Sequence, residues 1–249
     1  MGLQIVNVNP KYGQIQQIAP ATLGYIHIAA QTSEPTFPFR TNTAPELLNE
    51  LKELAHHLEQ LDAIETVTVF KAVGLPPVER LPYVREHVDS IHLARFDVVV
   101  LVETKLPEAI EQVQATPVYQ ALMAYLDDHA KSTHVMSAEN RKRVNDVDHT
   151  KDGLFLFNYF VADDADVMIN LWDYLADWYR AEMGMDNSVL LVPAEQTASD
   201  YVAINHARWD GGLPGFLAKQ MSKKSFRNYM LANLEANHVG AMPILYRLA

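Results

Sequence analysis

Apolar positions along this chain switch between strand-like and helix-like spacing, and the order of the switches occurs twice. Leu23–Ala30, with Tyr25, Ile26 and Ile28, has the aromatic and β-branched content of a strand. Leu47, Leu48, Leu51, Leu54, Leu58 and Leu61 recur at helical spacing, behind a capping-box pattern of Thr43 and Glu46. Ile64–Val73 alternates, and Phe96–Glu103 is the continuous apolar run of a strand buried on both faces. Pro107 suits the first turn of a second helix running toward Tyr125 with a break near Pro117, and Thr133–Ala138 supplies a fourth strand. Ser33, Pro35 and Pro38 mark 31–43 as a loop. Pro76, Pro77 and Pro82 mark another, with a short helix within 83–93.

The order then returns. Leu154–Val161 is a strongly apolar strand. Asp164 caps a helix with Met168, Leu171, Trp172, Leu175, Trp178 and Tyr179 on one broad face, and Gly184 stops it. Ser188–Val192 and Tyr201–Trp209 are strands, Gly211, Gly212 and Pro214 turn into a helix ending near Asn237, and Ala241–Leu248 is the last strand. The expected organisation is an N-terminal extension over 1–20, with a short accessory strand at Ile5–Val8, a first repeat over 21–139, a linker over 140–152 and a second repeat over 153–249. The basic run Arg141-Lys142-Arg143 reads as a solvated connector.

A β-α-β-β-α-β unit is ferredoxin-like. Two in one chain predict an α+β protein: tandem ferredoxin-like repeats forming an intrachain pseudo-dimeric α+β barrel. The copies share order more than letters. Val118-Tyr119-Gln120 echoes Ser225-Phe226-Arg227, and aligning Leu23 with Leu154 sets His27 opposite Asn158.

Composition narrows the function. A net charge of −11 disfavours nucleic acid as a partner. The absence of cysteine excludes disulfides, thiolate metal sites and a cysteine nucleophile, and fits a reducing cytoplasm, the expected compartment. The N-terminus lacks a signal-peptide pattern, and no apolar run approaches the roughly 20 residues of a membrane span, so no membrane partner is expected. No metal-spaced histidines, glycine-rich phosphate loop or nucleophile elbow occurs.

The element order resembles the dimeric α+β barrel superfamily, which includes antibiotic-biosynthesis-type monooxygenases, haem-degrading monooxygenases and chlorite-dismutase-like proteins. The resemblance implies a small-molecule pocket between each sheet and its helices or within the barrel. In cofactor-independent monooxygenases of this type, an asparagine or histidine holds an enolate-like substrate that reacts with oxygen. Haem-degrading relatives use an asparagine on the first strand, a histidine ligand and a tryptophan. Asn158, on the first strand of the second copy, is the one residue carried over. His206 and Trp209 lie on its third strand without an alignable motif. The surroundings of a chlorite-dismutase haem ligand find no match here.

The segment Asn205-His206-Ala207-Arg208-Trp209-Asp210 is the richest in chemistry. Alternation puts His206 and Arg208 on one strand face and Asn205 and Trp209 on the other. His206 with Arg208 would serve as base and anion donor; the alternative is a strand end emerging into solvent. His27 and Asn158 are polar groups in apolar strands that need a partner, either a ligand or another protein group. Asn158, His27 and His206 are the candidates to hold or deprotonate substrate, with Arg208 steadying negative charge; Asn205, Tyr159 and Tyr201 are candidate binding residues, and Tyr159 and Trp209 are candidates for stacking on substrate. The aromatic stripe of Trp172, Tyr174, Trp178 and Tyr179 reads as core. The function expected is binding of a small apolar or aromatic molecule, with cofactor-independent monooxygenation as the reaction. The alternatives are a non-catalytic binding or assembly protein, its barrel filled by Phe155, Phe157 and Phe160, and a haem-binding relative. Homo-oligomerisation stays open.

Overall fold

The structure, a computed structural model, describes residues 2–34, 42–77, 79, 81–195 and 197–249. Residues 35–41 of the expected loop over 31–43 therefore lie outside the described residues. Eight strands close into one antiparallel barrel: β1 (Gly24–Gln31), β2 (Ile64–Gly74), β3 (Val98–Thr104), β4 (Ser132–Arg143), β5 (Leu154–Ala162), β6 (Val189–Pro193), β7 (Ala203–Trp209) and β8 (Val239–Leu248). The order around it is β1-β3-β2-β8-β5-β7-β6-β4. Each repeat contributes a four-stranded sheet, β4-β1-β3-β2 and β6-β7-β5-β8. The two sheets join at two seams, β2 with β8 and β4 with β6. The expected pseudo-dimeric barrel is what the chain forms.

Alternation along the strands sorts side chains between inside and outside. Phe155, Phe157 and Tyr159 of β5 point into the barrel with Phe70, Tyr201, Ile244 and Tyr246, and fill it. Leu154, Leu156 and Phe160 point outward to the helices. The alternative of an aromatic-filled barrel interior is thus right for Phe155 and Phe157; Phe160 faces the other way.

Helices α1 (Pro45–Glu59) and α4 (Pro117–His129) cover the first sheet, where Leu51, Leu58, Leu122 and Leu126 join Ile28 and Val100 in one buried cluster. The break near Pro117 is real: a 3₁₀ turn at Pro107–Ala109 and the short α3 (Ile110–Gln114) precede α4. A short helix, α2 (Pro82–Glu86), lies in the proline-marked loop. Over the second sheet run α5 (Ala165–Trp178), α6 (Leu213–Ser222) and α7 (Ala232–Ala236). Asp164 caps α5 through the amides of Asp166 and Val167, as expected. A π turn, Tyr179–Met183, prolongs α5 to Gly184, whose φ of 76° is the left-handed stop. A second π turn, Phe226–Leu231, divides what the sequence reads as one helix, 213–237.

Three local expectations are corrected. Thr43 does not cap α1: Ala44 holds the cap position without a side-chain bond, and the Thr43 hydroxyl instead donates to the buried Asp97 carboxylate at 2.9 Å. Ile5–Val8 is no strand. Asn237 and Asn233 take the place of a partner strand, with Gln4 N–H donating to Asn237 Oδ1 (2.8 Å), Asn237 Nδ2 to Gln4 O (2.6 Å), and the same pairing between Val6 and Asn233. The basic run is not a solvated connector, because β4 continues through Arg143 to build the seam with β6. Lys142 pairs with Asp173 at 2.7 Å, and Arg143 with Asp146 and the Ala19 carbonyl.

Candidate active site

A cavity of about 250 Å³ lies outside the barrel, between the second sheet and its helices. Its origin is local. Helix α6 has no buried residue, so it stands off the sheet and leaves the room that α4 fills in the first repeat. Leu156 and Phe160 of β5, Leu245 of β8 and Leu175 of α5 make an apolar floor and wall. Both π turns border the space, through Tyr179 and through Phe226, Met230 and Leu231. Such turns are common where a helix is locally reshaped around a site.

Three residues that line this apolar space carry an unpartnered buried polar atom. Asn158 Oδ1, Trp209 Nε1 and Gln220 Oε1 are buried, make no hydrogen bond, and belong to residues lining the cavity. Leaving such a group unmade costs about 1–3 kcal/mol, so three around one cavity suggest a site that a ligand satisfies. Asn158 and Asn205 sit opposite each other on β5 and β7. The Asn205 amide has a fixed orientation, because Trp172 Nε1 can only donate and does so to Asn205 Oδ1 at 2.7 Å, where Ser188 Oγ donates at the same distance. Asn205 Nδ2 is thereby left as the free donor. The indole of Trp209 packs between Tyr179 and Phe216, with ring centroids 5.7 and 5.0 Å away. Tyr179 is the only titratable lining residue among those described, and burial pushes its phenol far above the usual range, so it is neutral.

Of the sequence candidates, the structure brings Asn158, Asn205 and Trp209 to this cavity. It places His27, Tyr159, His206 and Arg208 elsewhere, because their strand faces point into the barrel, and Tyr201, just before β7, packs in the barrel core too. His27 meets the Tyr159 hydroxyl at 3.4 Å, and burial among aromatic rings, with His134 nearby, lowers its pKa to about 3. Tyr201 donates to the His92 carbonyl at 3.1 Å. His206 stacks on Phe157 at 4.0 Å and is held well below its ordinary pKa by burial and then by His149. Arg208 is spent at the barrel end on the carbonyls of Lys151 and Asp152 and on Asp210. The alignment of His27 with Asn158 is also one residue out. His27 faces inward, as Phe157 does, whereas Asn158 faces the helices, and a single-residue slip exchanges the faces. Trp172, Tyr179 and Gln220 were not among the sequence candidates. The first two lie in the stripe read as core, and nothing in the local sequence distinguishes Gln220.

No protein-family model matches the chain, and no curated protein matches its sequence. Solved structures do. An anthrone oxidase-like protein is 11% identical over 96% of this chain and 93% of its own, with a TM-score of 0.64. The chain has the dimeric α+β barrel fold. A candidate monooxygenase from Fusobacterium nucleatum subsp. nucleatum is 7% identical over 91% of each chain, with a TM-score of 0.53. A mutant chlorite dismutase from Candidatus Nitrospira defluvii is 11% identical over 94% of each chain, with a TM-score of 0.50. At these identities the likeness is one of fold.

Proposed function

We propose that the cavity between the second sheet and its helices binds an uncharged, hydroxylated aromatic molecule of polyketide type and oxidises it with dioxygen, without a cofactor. The observation that carries this reading is that Asn158, Trp209 and Gln220, each with a buried unpartnered polar atom, all line one apolar cavity. Among the described residues no charged side chain lines it, which favours a neutral ligand over a carboxylate or phosphate. In the reaction, a benzylic methylene conjugated through the aromatic rings with a ring carbonyl loses a proton to give an enolate. The enolate is oxidised by dioxygen, and the net change is CH₂ plus O₂ to C=O plus H₂O. Trp209 Nε1–H and Asn205 Nδ2 would donate to the developing oxyanion, and the Asn158 and Gln220 amides would orient the ring hydroxyls. No lining side chain titrates near neutrality, so the substrate's own acidity, raised by these donors, would set the first step.

Haem fits the cavity poorly. Among the described residues no histidine lines it, the chain has no cysteine, and its one phenol, on Tyr179, is kept protonated by burial.

The likeness to an anthrone oxidase-like protein makes anthrone a sensible first probe. In an oxygen-electrode assay the protein should take up one O₂ per ketone formed, and Asn158→Ala with Trp209→Phe should lower the rate at least tenfold with the fold intact. Unchanged turnover in that variant would sink the catalytic assignment. Binding without oxygen uptake would favour the second reading, a non-catalytic binding protein using the same cavity.

A further inference from the structure

The helix that roofs the cavity carries a surface with a character of its own. On α6, Leu217 and Met221 are 42% and 57% exposed, and both also line the cavity, so they mark its mouth. They are one helical turn apart and point the same way. In a chain of net charge −11, the stretch from Leu213 to Leu234 contains Lys219, Lys223, Lys224 and Arg227 and no acidic residue. Lys223 is neutralised by Glu182 at 3.0 Å, and Lys219 donates to the Met183 carbonyl at 3.0 Å while keeping its charge. Lys224 and Arg227 are exposed and make no ion pair among the described residues. Two apolar side chains and Lys219 on α6, with Lys224 and Arg227 on the segment that follows it, therefore make one stretch of apolar and basic groups. The turn before it is built on Gly211, at a φ of 98°.

We infer that α6 and the segment that follows it dock on an anionic lipid bilayer, with Leu217 and Met221 inserted at the interface and Lys219, Lys224 and Arg227 on the headgroups. A short amphipathic helix with apolar residues on one side and basic residues flanking them is the form that lies in such an interface. Electrostatic screening keeps the attraction local, since charges more than roughly 8 Å apart are screened at physiological salt. The acidic remainder of the molecule then does not cancel the patch. Docking of this kind would open the cavity mouth onto the lipid phase, where an apolar ligand partitions. The surface does not depend on which reaction the cavity runs.

The test uses the full chain without ligand, so its result is separate from that of the oxygen assay. The protein is sedimented with vesicles of phosphatidylcholine alone and with vesicles in which part of that lipid is phosphatidylglycerol. The expected result is partition onto the anionic vesicles only, weakened as salt is raised. Lys224→Glu with Arg227→Glu, and separately Leu217→Ser with Met221→Ser, should each reduce partition at least tenfold with unchanged circular dichroism. Both are surface changes, so either one folding suffices for the comparison. No sedimentation of the wild type with anionic vesicles, or equal sedimentation of wild type and charge-reversed chain, would overturn the inference. If an acidic protein rather than lipid is the true partner, the vesicles will be ignored, and that outcome overturns it too.

Discussion

The Nε2 atoms of His149 and His206 lie 2.9 Å apart inside the barrel, and only one of them can donate. The Leu156 carbonyl, 3.0 Å from His206 Nδ1, requires a proton on that nitrogen. Neutral His206 then accepts at Nε2, so His149 carries its proton on Nε2. Its bare Nδ1 faces Glu103 Oε2 at 3.8 Å. Burial raises the Glu103 pKa, while the Thr66 hydroxyl, donating to Glu103 Oε2 at 2.6 Å, works against that rise.

This arrangement predicts acid sensitivity. Burial lowers His149 and His134 to about 4 and His27 to about 3. In the unfolded chain all three titrate near 6.5. Between about 6.5 and about 4 the unfolded state binds more protons, so stability rises with pH there and falls on acidification. Each histidine contributes on the order of 1.4 kcal/mol per pH unit. Glu103 works in the opposite sense: its raised pKa gives stability at low pH that is lost as pH rises through the folded value. The urea midpoint should drop from pH 7 to pH 4.5, and His149→Phe should flatten that drop. A flat wild-type profile would contradict the neutral buried histidines.

Asn158→Leu should separate stability from binding. It replaces an unsatisfied buried amide on an apolar strand face, so the melting temperature should hold or rise, by up to about 1 kcal/mol of stability. Affinity for the ligand should fall at least tenfold. Thermal melts with and without ligand read both, and a variant that melts lower without ligand would mean that Asn158 has a structural partner.

Trp172→Phe should act at a distance. It removes the donor that pins Asn205 Oδ1 and leaves that buried acceptor with Ser188 alone. A loss of about 1–3 kcal/mol in denaturant unfolding is expected. Ligand binding should weaken in proportion to the freedom the Asn205 amide regains.

Asn233→Ala or Asn237→Ala should release the N-terminal segment, since each asparagine satisfies both backbone groups of one residue there. Hydrogen exchange at Gln4 and Val6 should accelerate by at least tenfold while barrel amides stay protected. Global unfolding on either change would show that the segment is integral to the core.

The fold was readable because period and order survive divergence: β5 and α1 announce themselves through Phe155–Phe160 and the leucine series of 47–58. Faces were readable within a strand, as with His206 against Asn205, yet not which face meets a cavity. That depends on how far α6 stands from the sheet, a distance set by helix packing and not by alternation. The slip between His27 and Asn158 has the same root, since neither of two apolar strands marks its inward side. Thr43 misled because a buried Asp97 far along the chain competes for its hydroxyl, a tertiary effect that a local capping pattern cannot register.

Because both seams of the barrel, β2 with β8 and β4 with β6, join parts of one covalent chain, dilution cannot take the barrel apart. A barrel closed by two separate chains loses its second sheet once protein concentration falls below the dissociation constant. Here that encounter is intramolecular at any concentration. The unfolding midpoint attributable to barrel closure should be the same for a trace amount of protein as for a concentrated solution. The first half is also free to specialise as packing support through its buried helix–sheet cluster, while the second half lines the cavity.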